Sequence, residues 1–300
     1  MRFVRAVVVL VVVLVVFAVL FAKVTSDNGT RVATPRLGKG IEALDVGTST
    51  KVRLSPDGSR IAVVEDGAVT VVGLDDAHIV TRAGNDVVDA TWMPDGTRLL
   101  VVEGPIPTGQ VDTIDLRGHV DGVATLDPSI GFGNGDGVAV NDRGTEAAVI
   151  AVSRDAIGGT THTDLATVEL QTGKVRVYRT TRDEARPVFL DDDTVAVASQ
   201  GPTGPARLDT VDLVSGGVQA GRPIVDGPYG RTFGGDAVVA RRAAQGAYRL
   251  LAVAADGHEA TLHVTKPHRH VVAVNREVTR CLVRVVDPGG SAHLAIEGFD

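Results

Sequence analysis

From residue 50 onward the chain is a succession of short apolar runs, rich in β-branched residues and each closed by a polar turn. Leu54-Ser55-Pro56-Asp57-Gly58-Ser59-Arg60-Ile61-Ala62-Val63-Val64 sets the pattern. Pro56 presets φ for the first central turn position, Asp57 bonds its own backbone, and Gly58 supplies the positive φ that ends the turn. The alternating, β-branched residues that follow read as a half-buried strand. The pattern returns about 38 residues later, as a repeat does, in Trp92-Met93-Pro94-Asp95-Gly96-Thr97-Arg98-Leu99-Leu100-Val101-Val102.

A second element repeats in step with the first. Val69-Thr70-Val71-Val72-Gly73-Leu74 is followed by Asp112-Thr113-Ile114-Asp115-Leu116, Ala166-Thr167-Val168-Glu169-Leu170 and Asp209-Thr210-Val211-Asp212-Leu213. Fainter copies end near Val253 and Ile296. The mean offset of about 44 residues, with room for four short strands, is the period of a β-propeller. Six copies predict an all-β, six-bladed propeller of four-stranded antiparallel blades over residues 40–300. The Pro-Asp-Gly turn joins strands one and two, and the Thr-Val-Asp-Leu element is strand three. The last unit ends after three strands, and a spare segment, Gly40-Ile41-Glu42-Ala43-Leu44-Asp45-Val46, precedes the first. That segment is expected to close the ring beside the C-terminal strand and so remove an exposed edge.

Residues 6–22 are uninterruptedly apolar, with Arg2 and Arg5 before them and Lys23 after. As a helix this run is about 25 Å long, enough for a transmembrane segment. The flanking charges place the N-terminus in the cytoplasm and everything beyond residue 22 outside it. A cleaved signal peptide is the competing reading; its apolar region is normally shorter, about 7–15 residues. Residues 23–39 lack periodicity and read as a flexible tether. Asn28-Gly29-Thr30 is a glycosylation sequon that matters only in a eukaryotic secretory setting.

Composition narrows the function classes. Apolar residues make up 44% but aromatics only 4%, so Val, Ala and Leu fill the core, and 35 glycines suit a fold with many turns. The net charge of −7 argues against a nucleic-acid surface. The one cysteine, Cys281, forms no internal disulfide and reads as a small buried hydrophobe. No Gly-x-Ser-x-Gly elbow or phosphate loop is present, and His258 to His263 has the wrong spacing for a zinc-protease helix. Gly131-Phe132-Gly133-Asn134-Gly135-Asp136-Gly137 reads as a loop or bulged strand, and Asp191-Asp192-Asp193 as a turn. His268 and His270 are two apart and on a strand would share a face, where zinc would need a third ligand from another blade.

Ser-Pro-Asp-Gly before a short apolar strand, then Thr-Val-Asp-Leu and a Gly turn, resembles the TolB-like and WD-repeat-like β-propellers of bacterial envelopes. The resemblance covers residues 40–300; the Trp-Asp dipeptide of WD repeats is absent, Trp92 being the only tryptophan. It implies that the first strand of each blade lines a central channel, with its entry at one mouth. The entry positions here are Asp86, Asp89, Asp136, Arg186, Arg231, His268 and His270. Asp86, Asp136, Arg186, Arg231, His268 and His270 are therefore the candidate binding ring, with Arg186 and Arg231 positioned to take an anionic group. The expected function is non-catalytic: a membrane-anchored, extracytoplasmic scaffold or sensor for an envelope protein or cell-wall component, with no cofactor, metal ligand or catalytic residue assigned. The alternative implied by the resemblance is a metal-dependent, lactonase-like hydrolase. For it Asp86, Asp136 and Glu184 are the available carboxylates, and Arg186, Arg231 and His268 would oppose a dication.

Overall fold

The computed structural model describes residues 50–75, 79–104, 109–125, 130–132, 137–154, 161–179, 183–201, 205–224, 226–232, 234–254, 256, 258–275, 278–286 and 292–299. The expected membrane helix, the tether and the closing segment 40–46 lie outside the described residues, as does Asp136. No helix among the described residues is long and apolar enough to cross a membrane.

Among the described residues, twenty-four strands form six antiparallel sheets. Blade 1 is β1 (Lys51–Leu54), β2 (Arg60–Glu65), β3 (Ala68–Gly73) and β4 (Ile79–Ala83). Blade 2 is β5 (Val87–Trp92), β6 (Arg98–Glu103), β7 (Gln110–Asp115) and β8 (Val120–Thr125). Blade 3 holds β9 (Ile130–Phe132), β10 (Val138–Val140), β11 (Glu146–Arg154), β12 (Thr161–Glu169) and β13 (Val175–Tyr178). Blade 4 is β14 (Asp183–Phe189), β15 (Thr194–Gln200), β16 (Arg207–Asp212) and β17 (Val218–Gln219). Blade 5 is β18 (Asp226–Arg231), β19 (Ala237–Arg242), β20 (Tyr248–Val253) and β21 (Glu259–Val264). Blade 6 is β22 (Arg269–Val274), β23 (Arg280–Val286) and β24 (Ala292–Gly298). Its three described strands are the three that the sequence pattern places in the last unit. β9 and β10 both pair with β11, so Ile130–Phe132 and Val138–Val140 are two parts of an interrupted first strand.

The first strands touch one another in the order β1, β5, β10, β14, β18, β22 and back to β1. The ring is therefore closed at the level of the inner strands. The core is distributed in the same way, as one buried cluster at each of the six blade interfaces. The last joins Val52, Leu54, Ile61, Val72 and Leu74 of blade 1 to Ala273, Leu282 and Leu294 of blade 6.

This arrangement revises one expectation. A half-buried strand needs one apolar face, but the second and third strands bury both. Leu99 and Val101 on β6 pack toward blade 1, while Leu100 and Val102 pack toward blade 3. Each sheet is sandwiched between its neighbours, and successive residues point to opposite faces. Near-continuous runs such as Leu99-Leu100-Val101-Val102 are the result, as in any sheet covered on both sides.

The repeated turn is built the same way in several blades. Ser55, Met93, Asn141 and Asn275 each accept a backbone bond from the residue three positions on, and their own N–H bonds the carbonyl five positions on. Side chains reinforce it: Asn141 Oδ1 accepts from the backbone N–H of Thr145 and Glu146, and Asn275 Oδ1 from Thr279 and Arg280.

Candidate functional site

The inner strands enclose a cavity of about 720 Å³ to which all six blades contribute. Among the described residues its lining includes Lys51, Arg53, Arg186, Arg231, Arg284 and His270, against one carboxylate, Asp142. In a chain that carries −7 overall, basic side chains outnumber carboxylates in this described lining, although Asp142 pairs with Arg231 and Asp89, behind the wall, pairs with Arg53 and approaches Lys51.

The candidate residues do not form one ring. Their depth can be read from the turn that ends each inner strand, which fixes Leu190, Thr232 and Asn275 as equivalent positions. Arg231 lies one residue before that turn, Arg186 four residues before it and His270 five. At about 3.3 Å per residue, Arg186 and Arg231 are on the order of 10 Å apart along the channel. Bulges also shift the register of β14, β18 and β22 against their partners.

Arg186 sits at the bulge of β14 in the left-handed region, φ 49, with its guanidinium carbon 5.8 Å from the centre of the Tyr229 ring on blade 5. His270 faces Tyr248, whose hydroxyl is 3.0 Å from Nδ1. Arg284 on β23 lies directly across from His270, and its buried Nε has no hydrogen-bond partner. Arg186 and Arg284 make this the cationic end of the cavity, with His270 across from Arg284. At the far end Arg231 reaches two other blades, ion-pairing with Asp142 of blade 3 and donating to the Leu190 carbonyl of blade 4. Arg231 is thus a clamp between blades as well as a lining residue.

Two candidates fall outside the cavity lining. Asp86 is exposed, with φ 58, at the junction of blades 1 and 2. It stands beside Glu103, whose carboxyl is pushed up by burial, then by the charge of Asp112, and further by Asp86 itself. His268 is exposed at φ 61, just before β22 begins, and donates its N–H to the Gly246 carbonyl. It precedes the strand, so the alternation that would align it with His270 on a strand does not reach it. Glu184 lies on β14, and its side chain is outside the described portion.

Asp89 is the residue whose role the sequence did not reveal. It is 2% exposed and does not line the cavity. Its oxygens accept from Arg53 of blade 1, from its own neighbour Ala90 N–H at 2.7 Å, and from Gly137 N–H of blade 3 at 2.8 Å. Lys51 approaches within 3.8 Å while donating to the Val88 carbonyl. A single carboxylate therefore joins three blades behind the channel wall. Lys51, Arg53 and Arg284 were also missed as lining residues. Lys51 and Arg53 occupy a first strand, so the blade assignment alone carried the signal; Arg284, on a second strand, gave none.

No protein-family model matches the chain, and neither does any curated protein. Solved structures are similar to it in fold. A putative TolB from Agrobacterium tumefaciens superposes with a TM-score of 0.52 at 15% identity, covering 84% of this chain and 90% of that one. TolB from Acinetobacter baumannii gives 0.50 at 14% identity, covering 84% and 64%. Pyrococcus horikoshii acylaminoacyl peptidase gives 0.52 at 12% identity, over 83% of this chain and 44% of that one. The fold is a TolB-like β-propeller, one that occurs both in TolB and in a peptidase, and fold alone does not fix a function.

Proposed function

We propose that this TolB-like propeller is a non-catalytic binding module whose central cavity receives an anionic group of a cell-envelope protein or wall polymer. The observation behind the proposal is the basic end of the described lining, where Arg186, Arg284 and His270 gather inside an acidic chain, while Arg53 and Arg231 are paired with Asp89 and Asp142. Burial within the propeller lowers the local dielectric and strengthens each charge–charge contact. Arg186, Arg284 and His270 at one end are the recognising groups. The same charges work against the hydrolase alternative, since a catalytic dication needs converging carboxylates.

The reading also takes residues 1–22 as the membrane anchor, with the propeller on the outer side and residues 40–46 completing the sixth blade beside β24. Its basis is the apolar run behind Arg2 and Arg5 and the three described strands of blade 6.

The test is cross-linking in intact cells with the full chain and with Arg186→Glu. Wild type is expected to capture an envelope component in a salt-sensitive manner, and the charge reversal to abolish capture while the protein still melts cooperatively. Equal capture by both proteins counts against the cavity. Extraction of the full chain by alkaline wash without detergent counts against the anchor.

A further inference from the structure

Away from the central cavity, three side chains from two blades converge at the interface of blades 5 and 6. Cys281 on β23 and Glu297 on β24 are direct cross-strand partners. They therefore project from the same face of blade 6. His263 reaches them from β21, the outer strand of blade 5. The ligating atoms of the three residues all lie within 4.8 Å of one another. His263 Nε2 and Glu297 Oε2 are 3.1 Å apart, already the edge length that two ligands about 2.0 Å from one zinc ion would span.

We infer that His263, Cys281 and Glu297 form a zinc site that pins the C-terminal blade of the propeller to its neighbour. One nitrogen, one sulfur and one carboxylate oxygen match the mixed donor set zinc accepts, with a fourth tetrahedral position left for water. The thiol loses its proton to solvent as sulfur binds the metal. Closing the set around an ion with Zn–S of about 2.3 Å needs a contraction on the order of 1 Å along its longest edge, within the reach of side-chain rotation.

The surroundings fit a ligand set more closely than a simple apolar packing contact. Glu297 is 7% exposed, yet its Oε1 has no hydrogen bond. Arg269 Nη1 is 2.8 Å from that oxygen, an ion pair without hydrogen-bond geometry. Arg269 holds Oε1 and leaves Oε2 facing His263, the arrangement in which an outer partner orients a ligand. Phe299 stacks on the His263 ring, 4.8 Å between centroids and 4° between planes, and fixes its orientation. Cys281 is fully buried. Among the described residues no other group of three such side chains converges in this way.

The experiment uses the purified full chain, stripped with a chelator and reloaded with zinc or cobalt. One zinc per chain should survive dialysis, and the cobalt form should show a near-ultraviolet thiolate charge-transfer band. Cys281→Ala should lose the band, and His263→Gln should lose stoichiometric zinc. Zinc should raise the melting temperature of the wild type and leave that of His263→Gln unchanged; this comparison decides the matter if Cys281→Ala fails to fold. Folded wild type that retains no stoichiometric zinc, a cobalt form without the thiolate band, or equal melting shifts in wild type and His263→Gln would each overturn the site.

Discussion

A single guanidinium nitrogen of Arg53, Nη2, lies 3.0 Å from both carboxylate oxygens of Asp89. The pair crosses from blade 1 to blade 2, and Gly137 N–H extends it to blade 3. Apolar clusters hold the blade faces together but are indifferent to sliding. A buried, directional carboxylate fixes where the first three inner strands stand relative to each other. Asp89→Ala leaves Arg53 and two backbone N–H groups without their acceptor, and breaking a buried pair costs about 3–5 kcal/mol. Urea unfolding should show a loss of that order. Arg53→Ala should cost less, and the double variant less than the sum of the two, because the sites share one interaction.

The junction of blades 6 and 1 should be as sensitive as any other interface. Leu282 is fully buried in the cluster that joins them. Leu282→Ala should cost about 2–5 kcal/mol, the usual range for a buried leucine. Val214, 79% exposed, is the control: Val214→Ala should stay within about 0.5 kcal/mol. A small effect of Leu282→Ala in urea melts would mean that the last interface carries little of the ring's stability.

Val278 occupies a glycine's place. Its N–H bonds the Asn275 carbonyl as those of Gly58, Gly96 and Gly144 bond Ser55, Met93 and Asn141. Its φ is 53, beside 69, 66 and 66 for the three glycines. The left-handed region costs an L-residue about 1–2 kcal/mol, and most for a β-branched one. Val278→Gly should therefore raise the thermal midpoint, with the gain reduced by the loss of partly buried apolar contact. At Gly58 no heavy atom would come nearer than 3.7 Å to an added Cβ. Gly58→Ala should accordingly cost only the backbone penalty, about 1 kcal/mol.

Acid should loosen the first turn late. Burial acts to raise the Asp57 pKa, but hydrogen bonds from the Ser55 and Ser59 hydroxyls and the Ser59 N–H outweigh it and bring it down to about 2. The Ser55 Oγ and Ser59 Oγ donors lie at 2.6 and 2.7 Å. A depressed folded-state pKa means stability that is present above the unfolded value of about 3.9 and lost as pH falls through the folded value. Asp57 therefore contributes to the decline between about pH 4 and pH 2. Asp57→Asn should be less stable at neutral pH and lose less on acidification, as followed by denaturant melts at fixed pH values. The effect will be small, because Asp57 is exposed and well solvated.

Burial should also keep Cys281 inert in the metal-free protein. Burial, then the charge of Glu297, pushes the thiol up to about 12. Since the thiolate is the nucleophile, a thiol-directed alkylating reagent at pH 8 should leave Cys281 unmodified in the folded chain and modify it in urea. Labelling of folded protein at the unfolded rate would contradict its burial.

The sequence by itself determined the blades. Period, turn residues and β-branched runs are local properties, and a strand's propensity and its turn are set by neighbours in the chain. Leu74, Leu116, Leu170, Leu213, Val253 and Ile296, matched as repeats, all fall at or beside third strands. The six units, the order of strands within each and the three described strands of the last unit were legible for that reason. Depth in the channel was not, because the turns that end β14 and β18, at Leu190 and Thr232, lack the Pro-Asp-Gly signal that marks the first two blades. Arg186 and Arg231 both read as entry-region residues in the sequence, yet Arg231 ends β18 one residue before its turn while Arg186 lies four residues before the equivalent turn of β14. Nor could sequence distance show that Arg53 meets Asp89 and Gly137, or that His263 meets Glu297. Such contacts cross from blade to blade, and only the curvature of the closed ring brings those side chains together.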